Sequence, residues 1–170
     1  MMNKKMMALA ALFLSLPQGA VALQCVPTTV SQDYWWHQES EETFVLVHGA
    51  FSGLDLREAA ETSYGDEEMR PGRAVYSARF EGFLPSQRAF DQPFATDVTL
   101  VFPDYSHIGG GSDTARAAET LPGQVGLVWL MQTDQGYEVT HGICSGIIDT
   151  DPASVKPALR CLRGGFCPKG

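Results

Sequence analysis

The stretch Gly142-Ile143-Cys144-Ser145-Gly146 sets a thiol and a hydroxyl between small neighbours, as a nucleophile on a sharp turn is set. Either group attacks a carbonyl well only when a nearby base takes its proton. The chain has four histidines for that task, His37, His48, His107 and His141, and all four precede Cys144. Beyond Cys144 come Asp149 and Asp151 but no histidine. The order nucleophile, acid, histidine is therefore missing, and no catalytic residue is assigned. A small hydrolase using Cys144 or Ser145 with His141 or His48 stands as the alternative, and it requires a free thiol at Cys144.

Residues 44–51, FVLVHGAF, resemble the strand and His-Gly loop with which many α/β-hydrolases help to build an oxyanion hole. That fold needs helices alternating with its strands, and the sequence lacks them. The stretch then reads as an apolar strand in which Gly49 permits a bend. His37 with Glu39, and Asp104 with His107 and Asp113, are scattered pairs of a kind common on surfaces, so no metal is expected. Gly109-Gly110-Gly111 lacks the lysine and following Ser/Thr of a phosphate-cradling loop and reads as a hairpin tip, so no cofactor is expected either.

The densest aromatic cluster is Asp33-Tyr34-Trp35-Trp36-His37. Tryptophan and tyrosine are favoured at the energetic centres of protein contacts, which makes Tyr34, Trp35 and Trp36 candidate partner-binding residues. The competing reading packs one or two of these rings over the end of a barrel.

The ends and the charge set the compartment. Lys4 and Lys5 precede an apolar run, and Ala20-Val21-Ala22 follows it, so residues 1–22 read as a signal peptide. The run is too short to span a bilayer, and no second one exists, so no transmembrane anchor is expected. Residues 23–170 then form a single exported domain, periplasmic or extracellular. With 20 acidic against 12 basic residues in the whole chain, two of the latter in the leader, nucleic acid is a poor partner. All four cysteines, Cys25, Cys144, Cys161 and Cys167, survive removal of the leader, and an even count in an exported chain points to disulfides. Three pairings are possible. Gly164-Gly165 favours closure of the short Cys161–Cys167 loop, which leaves Cys25 for Cys144. A bridge across so long a loop contributes about 4–5 kcal/mol in the chain-entropy view.

Strand patterns cover residues 43–51, 73–83 and 96–102, and residues 124–133 and 136–148 form a hairpin through Asp134-Gln135-Gly136. Short helices are expected at 31–38, 54–62 and 112–119. Another opens with Asp151 as N-cap and Pro152 at its first position, runs through 153–162, and is shortened or kinked by Pro157. Residues 63–72 and 107–112 read as loops. The fold class is mainly β: a small five-stranded antiparallel barrel with short flanking helices.

The start of the expected mature chain, Gln24-Cys25-Val26-Pro27-Thr28-Thr29-Val30, followed by a short helix and residues 41–51, resembles the opening of netrin-like domains. That family includes the tissue inhibitors of metalloproteinases and their bacterial relatives. The hairpin of Val125-Gly126-Leu127-Val128-Trp129 with Gly136 to Ser145 resembles the family's closing hairpin. The resemblance implies an OB-type barrel, a Cys25–Cys144 bridge and a role in protein contact that includes inhibition. The chain departs from the family in lacking the opening C-x-C and in carrying Leu121-Pro122-Gly123-Gln124 where a further cysteine stands. Cleavage after Ala22 also leaves Leu23-Gln24 ahead of Cys25, which blocks zinc ligation through a terminal cysteine amine. The function expected is that of a non-catalytic, disulfide-stabilised binding module with an unknown protein partner. A passive envelope structural component is a further alternative.

Overall fold

Along residues 44–51, Val47, Gly49 and Phe51 share one face of an extended chain, and Leu46 and His48 share the other. Both faces are used, because apolar partners cover each of them. The computed structural model describes residues 28–64, 69–70, 72–104, 114–142 and 146–169. Helix α1 (Val30–Glu39) leads into strand β1 (Phe44–Ala60), a short ladder of β2 (Ser63–Tyr64) with β3 (Met69–Arg70), and a long hairpin of β4 (Arg73–Pro85) and β5 (Phe90–Pro103). Helix α2 (Thr114–Thr120), strands β6 (Gly126–Thr133) and β7 (Gly136–Thr140), and helix α3 (Val155–Leu162) complete it.

The protein is mainly β, with five long strands and short helices. Their pairing runs β1-β4-β5-β7-β6, and β6 returns to β1 through Phe44–Met131 to Gly49–Gly126. The expectation of a wholly antiparallel arrangement is corrected here: β5 and β7 pair in parallel, Val98 opposite Tyr137 through Val101 opposite Thr140. The reason is parity. Strand directions cannot alternate all the way round a closed circuit of odd number, so one neighbouring pair must run the same way.

Two apolar cores share β1 and β6. Inside the circuit Val47, Phe51, Phe80, Leu100, Phe102, Val128 and Leu130 are fully buried, and each such side chain contributes about 1.5–3 kcal/mol. Ala118 of α2, Leu121, Val139 and Ile147 join that cluster. On the outer face Leu46 and Leu127 pack with Ala158 of α3 and with Val30, Trp129, Val155 and Leu162. Helices α1 and α3 therefore lie over the outside of β1 and β6.

Several local expectations change. Residues 54–62 carry helix formers, yet β1 continues through Ala60, where Glu58 to Ala60 pair with Ala74 and its neighbours on β4. Cross-strand pairing overrides the weak helical preference. Gly53, at φ 61°, sits in the bulge between Ser52 and Asp55 and lets the strand turn without breaking. Strand β5 begins at Phe90, ahead of Pro93. Only β4 borders that part of β5, so a residue without an N–H is tolerated there. Strand β7 ends at Thr140, short of the expected limit. Asp151 does cap a turn, accepting from the Ala153 N–H at 2.9 Å, but the turn is a 3-10 segment and α3 proper starts at Val155. Pro157 thus falls in the first turn of α3, where its missing N–H would find no helical partner, and no kink is needed.

Helix α3 is closed just beyond its end by Gly164, whose φ of 69° permits the N–H groups of Gly164 and Gly165 to bond the carbonyls of Cys161 and Arg160, each at 3.0 Å. The chain then doubles back into the Cys161–Cys167 disulfide, Cα atoms 5.0 Å apart. Residues 1–22, expected to be a leader, Cys25, Cys144 and the glycine-rich stretch at 107–112 lie outside the described residues.

The strands approach closely at Gly49, opposite Gly82 on β4 and Gly126 on β6. A Cβ on Gly49 would run into the Glu81 carbonyl and sit 2.6 Å from the Gly82 Cα. Gly49→Ala is therefore expected to cost about 1–3 kcal/mol or more in urea unfolding. Gly146→Ala, whose Cβ would find only ordinary contacts from 3.6 Å among the described residues, is the control and stays within about 0.5 kcal/mol of the parent. Equal effects of the two would refute this packing.

Candidate functional site

Helix α1 is set by a capping box: the Thr29 side chain accepts from the Gln32 N–H, and the Gln32 side chain accepts from the Thr29 N–H at 2.9 Å. From this start the helical period sorts its side chains into two stripes. Ser31, Trp35 and Glu39, four residues apart, all meet the C-terminal segment. The Cys161 Sγ lies 3.9 Å from the Ser31 hydroxyl, the Trp35 indole N–H donates to the Cys167 carbonyl at 2.8 Å, and Glu39 pairs with Lys169. The Lys169 ammonium also lies 4.5 Å from the centre of the Trp35 ring, a cation–π contact.

The second stripe, Val30, Asp33, Trp36 and His37, faces the β6–β7 hairpin across a groove of about 340 Å³. Outward-facing Leu127, Trp129 and Met131 of β6 form its floor with Phe44, Glu138 and Thr140. His37 stacks flat on Trp129, centroids 4.3 Å apart at 10°, and meets Phe44 edge-on at 4.5 Å. Its Nδ1 lies 2.7 Å from the Asp33 carbonyl. Burial holds the His37 imidazole below its ordinary pKa, against the opposing pull of the Asp33 carbonyl and carboxylate. The ring is accordingly neutral near pH 7, and its Nδ1–H donates to Asp33.

The three aromatic candidates thus have separate fates. Trp35 is tied to the C-terminal loop, and Tyr34 lies partly buried, 5.4 Å from Trp35 and 6.3 Å from Trp129. Trp36 is 73% exposed and borders the groove. Cys25 and Cys144 are outside the described residues, so the structure does not address their pairing. Among the candidate bases, His48 points outward beside Phe90, centroids 5.7 Å apart, whereas His141 stacks on interior Phe102 at 5.6 Å. Among the described residues no three His, Cys, Asp or Glu side chains converge as a metal site, and no helix is long and apolar enough to cross a membrane. His107 and Asp113 lie outside them. Asp104 accepts from the Thr62 hydroxyl at 2.6 Å.

The sequence reading missed Trp129 and Met131 as groove residues. The available signal was the apolar character of both faces of β6, Leu127, Trp129 and Met131 on one side and Val128 and Leu130 on the other. A strand exposed on one face would alternate with polar residues.

No protein-family model matches the chain, and the comparisons with curated proteins and with solved structures likewise found no match.

His37 and His141 are both held below the ordinary histidine pKa by burial. The unfolded chain then binds protons that the folded chain refuses as pH falls through about 6.5. Stability should be full above that value, decline with falling pH, and level off below the folded pKa values. The urea midpoint is expected to drop between about pH 7.5 and about 5.5, and His37→Gln should remove part of that slope. A flat or rising midpoint would contradict two partly buried, neutral imidazoles.

Proposed function

We propose that the protein is an exported, disulfide-stabilised, non-catalytic binding module on an OB-type barrel, working through protein contacts in the periplasm or outside the cell. The strand order supports the OB-type reading. The third and fifth long strands, β5 and β7, make the one parallel pairing among the described residues, and α2 lies in the connection between β5 and β6. The leader-like residues 1–22 and the Cys161–Cys167 bridge support an oxidising compartment.

The observation that carries the binding role is the exposure of Trp36 beside the groove. Its neighbour Trp35 is pinned to the C-terminal loop, which fixes the rotation of α1, and Trp36 is held out at the mouth of a preformed groove. A large exposed ring carried on an anchored helix is an efficient contact residue. The resemblance to netrin-like domains adds a second bridge, Cys25–Cys144, to the proposal. Inhibition through a terminal cysteine amine is not part of it, because Leu23-Gln24 precede Cys25 in the expected mature chain.

Two measurements on the protein from its producing cells test the reading. A non-reducing peptide map is expected to start at Leu23 and to contain a Cys25–Cys144 cystine, whereas an alkylatable Cys144 would favour the hydrolase alternative. A photo-crosslinking amino acid at position 36 should yield a discrete adduct that the same probe at exposed Gln135 does not. Identical patterns from the two positions, or none from either, would favour the passive structural role.

A further inference from the structure

The groove beside Trp36 has a chemical bias that the binding role alone does not require. Three carboxylates line it, Asp33 from α1, Glu138 from β7 and Asp149 from the segment after β7, and among the described residues no lysine or arginine does. Among the described residues none of the three carboxylates is in an ion pair. Asp149 accepts the Asp151 N–H at 2.9 Å and Glu138 accepts from Thr140 at 3.3 Å, which still leaves each carboxylate acceptor positions to spare. The rings of Trp36, His37 and Trp129 line the same groove. The half-buried His37 is neutral near pH 7, so it supplies no cation of its own to the groove.

We propose that this groove receives a basic side chain, arginine or lysine, presented by a partner protein. The proposal rests on the binding-module reading and names the chemistry of its partner. Each part of such a side chain finds a match. Its apolar stem lies along ring and aliphatic surface, and its charged head meets ring faces and carboxylates together. Other occupants fit less well. A purely apolar ligand would strip water from three acids and offer nothing back, and an anionic one would be repelled. The groove volume, about 340 Å³, is at the small end of ligand pockets and suits one anchoring side chain rather than a broad docking face. The chain's formal charge of −8 steers a cationic partner toward it.

The test uses the full disulfide-bonded chain, with its tryptophan indoles labelled for NMR, titrated with a blocked Gly-Arg-Gly peptide. The Trp36 and Trp129 indole signals are expected to shift saturably, with a dissociation constant on the order of a millimolar, as suits a single anchoring residue. The same peptide with neutral citrulline in place of arginine should bind about tenfold or more weakly. Glu138→Gln and Trp36→Ala should each weaken the arginine peptide comparably while leaving the Trp35 indole signal in place, which reports an intact α1 anchor. Equal binding of the arginine and citrulline peptides, or no shift at either groove indole, would overturn the assignment. Should the position-36 crosslink persist in that case, the partner-binding reading survives and only the cationic preference falls. Loss of both would remove the two together.

Discussion

The rest of the molecule depends on β1 pairing on both of its edges at once. At Gly49 the strand lies opposite Gly82 on one side and Gly126 on the other, and none of the three positions has room for a side chain. This close approach lets one strand belong to two ladders and bring the five strands into a circuit. An odd circuit forces one parallel pair, and that pair needs a connection that carries the chain across. Helix α2 lies in it, and its Ala118, with Leu121 just beyond, buries against the interior. The aromatic interior, Phe51 against Phe80 at 5.3 Å and Tyr76 against Phe102 at 5.5 Å, then fills the space that the closure defines.

The outer face follows from the same strand. Leu46 and Leu127 point away from the interior and require a cover, which α1 and α3 provide. The cover is held at its far end by polar and covalent means rather than by a deep apolar seam. No residue of α1 is fully buried, and its fixed orientation comes from the capping box at Thr29 and from the Trp35, Ser31 and Glu39 contacts to the C-terminal segment. That segment is itself constrained by the Cys161–Cys167 bridge. A helix fastened in this way can keep a groove beneath it open, because its packing does not demand that every gap be filled. The aromatic site is therefore a by-product of how α1 is attached.

Much of this was readable from residue order. The β6–β7 hairpin followed from Asp134-Gln135-Gly136 between β-rich runs, the start of the C-terminal helix region from Asp151-Pro152, and the short disulfide loop from Gly164-Gly165. What escaped the sequence was tertiary in origin. Residues 54–62 look helical in isolation and become strand only because β4 lies alongside. Trp35 and Trp36 are neighbours of one type in the sequence, and only the hundred-degree step of a helix anchored on one side makes one a fastener and the other a free surface. The groove floor, with Trp129 beneath His37, joins residues far apart in the chain that no local pattern links.

The central claim, that α1 is fixed by Trp35 and thereby displays Trp36, is tested most directly by hydrogen exchange at the three tryptophan indoles. The account predicts a slowly exchanging Trp35 N–H and a rapidly exchanging Trp36 N–H in the folded protein. It further predicts that the paired variant Cys161→Ser with Cys167→Ser speeds exchange at Trp35 and leaves Trp36 unchanged. Rapid exchange at Trp35 in the parent protein, or protection at Trp36, would contradict it.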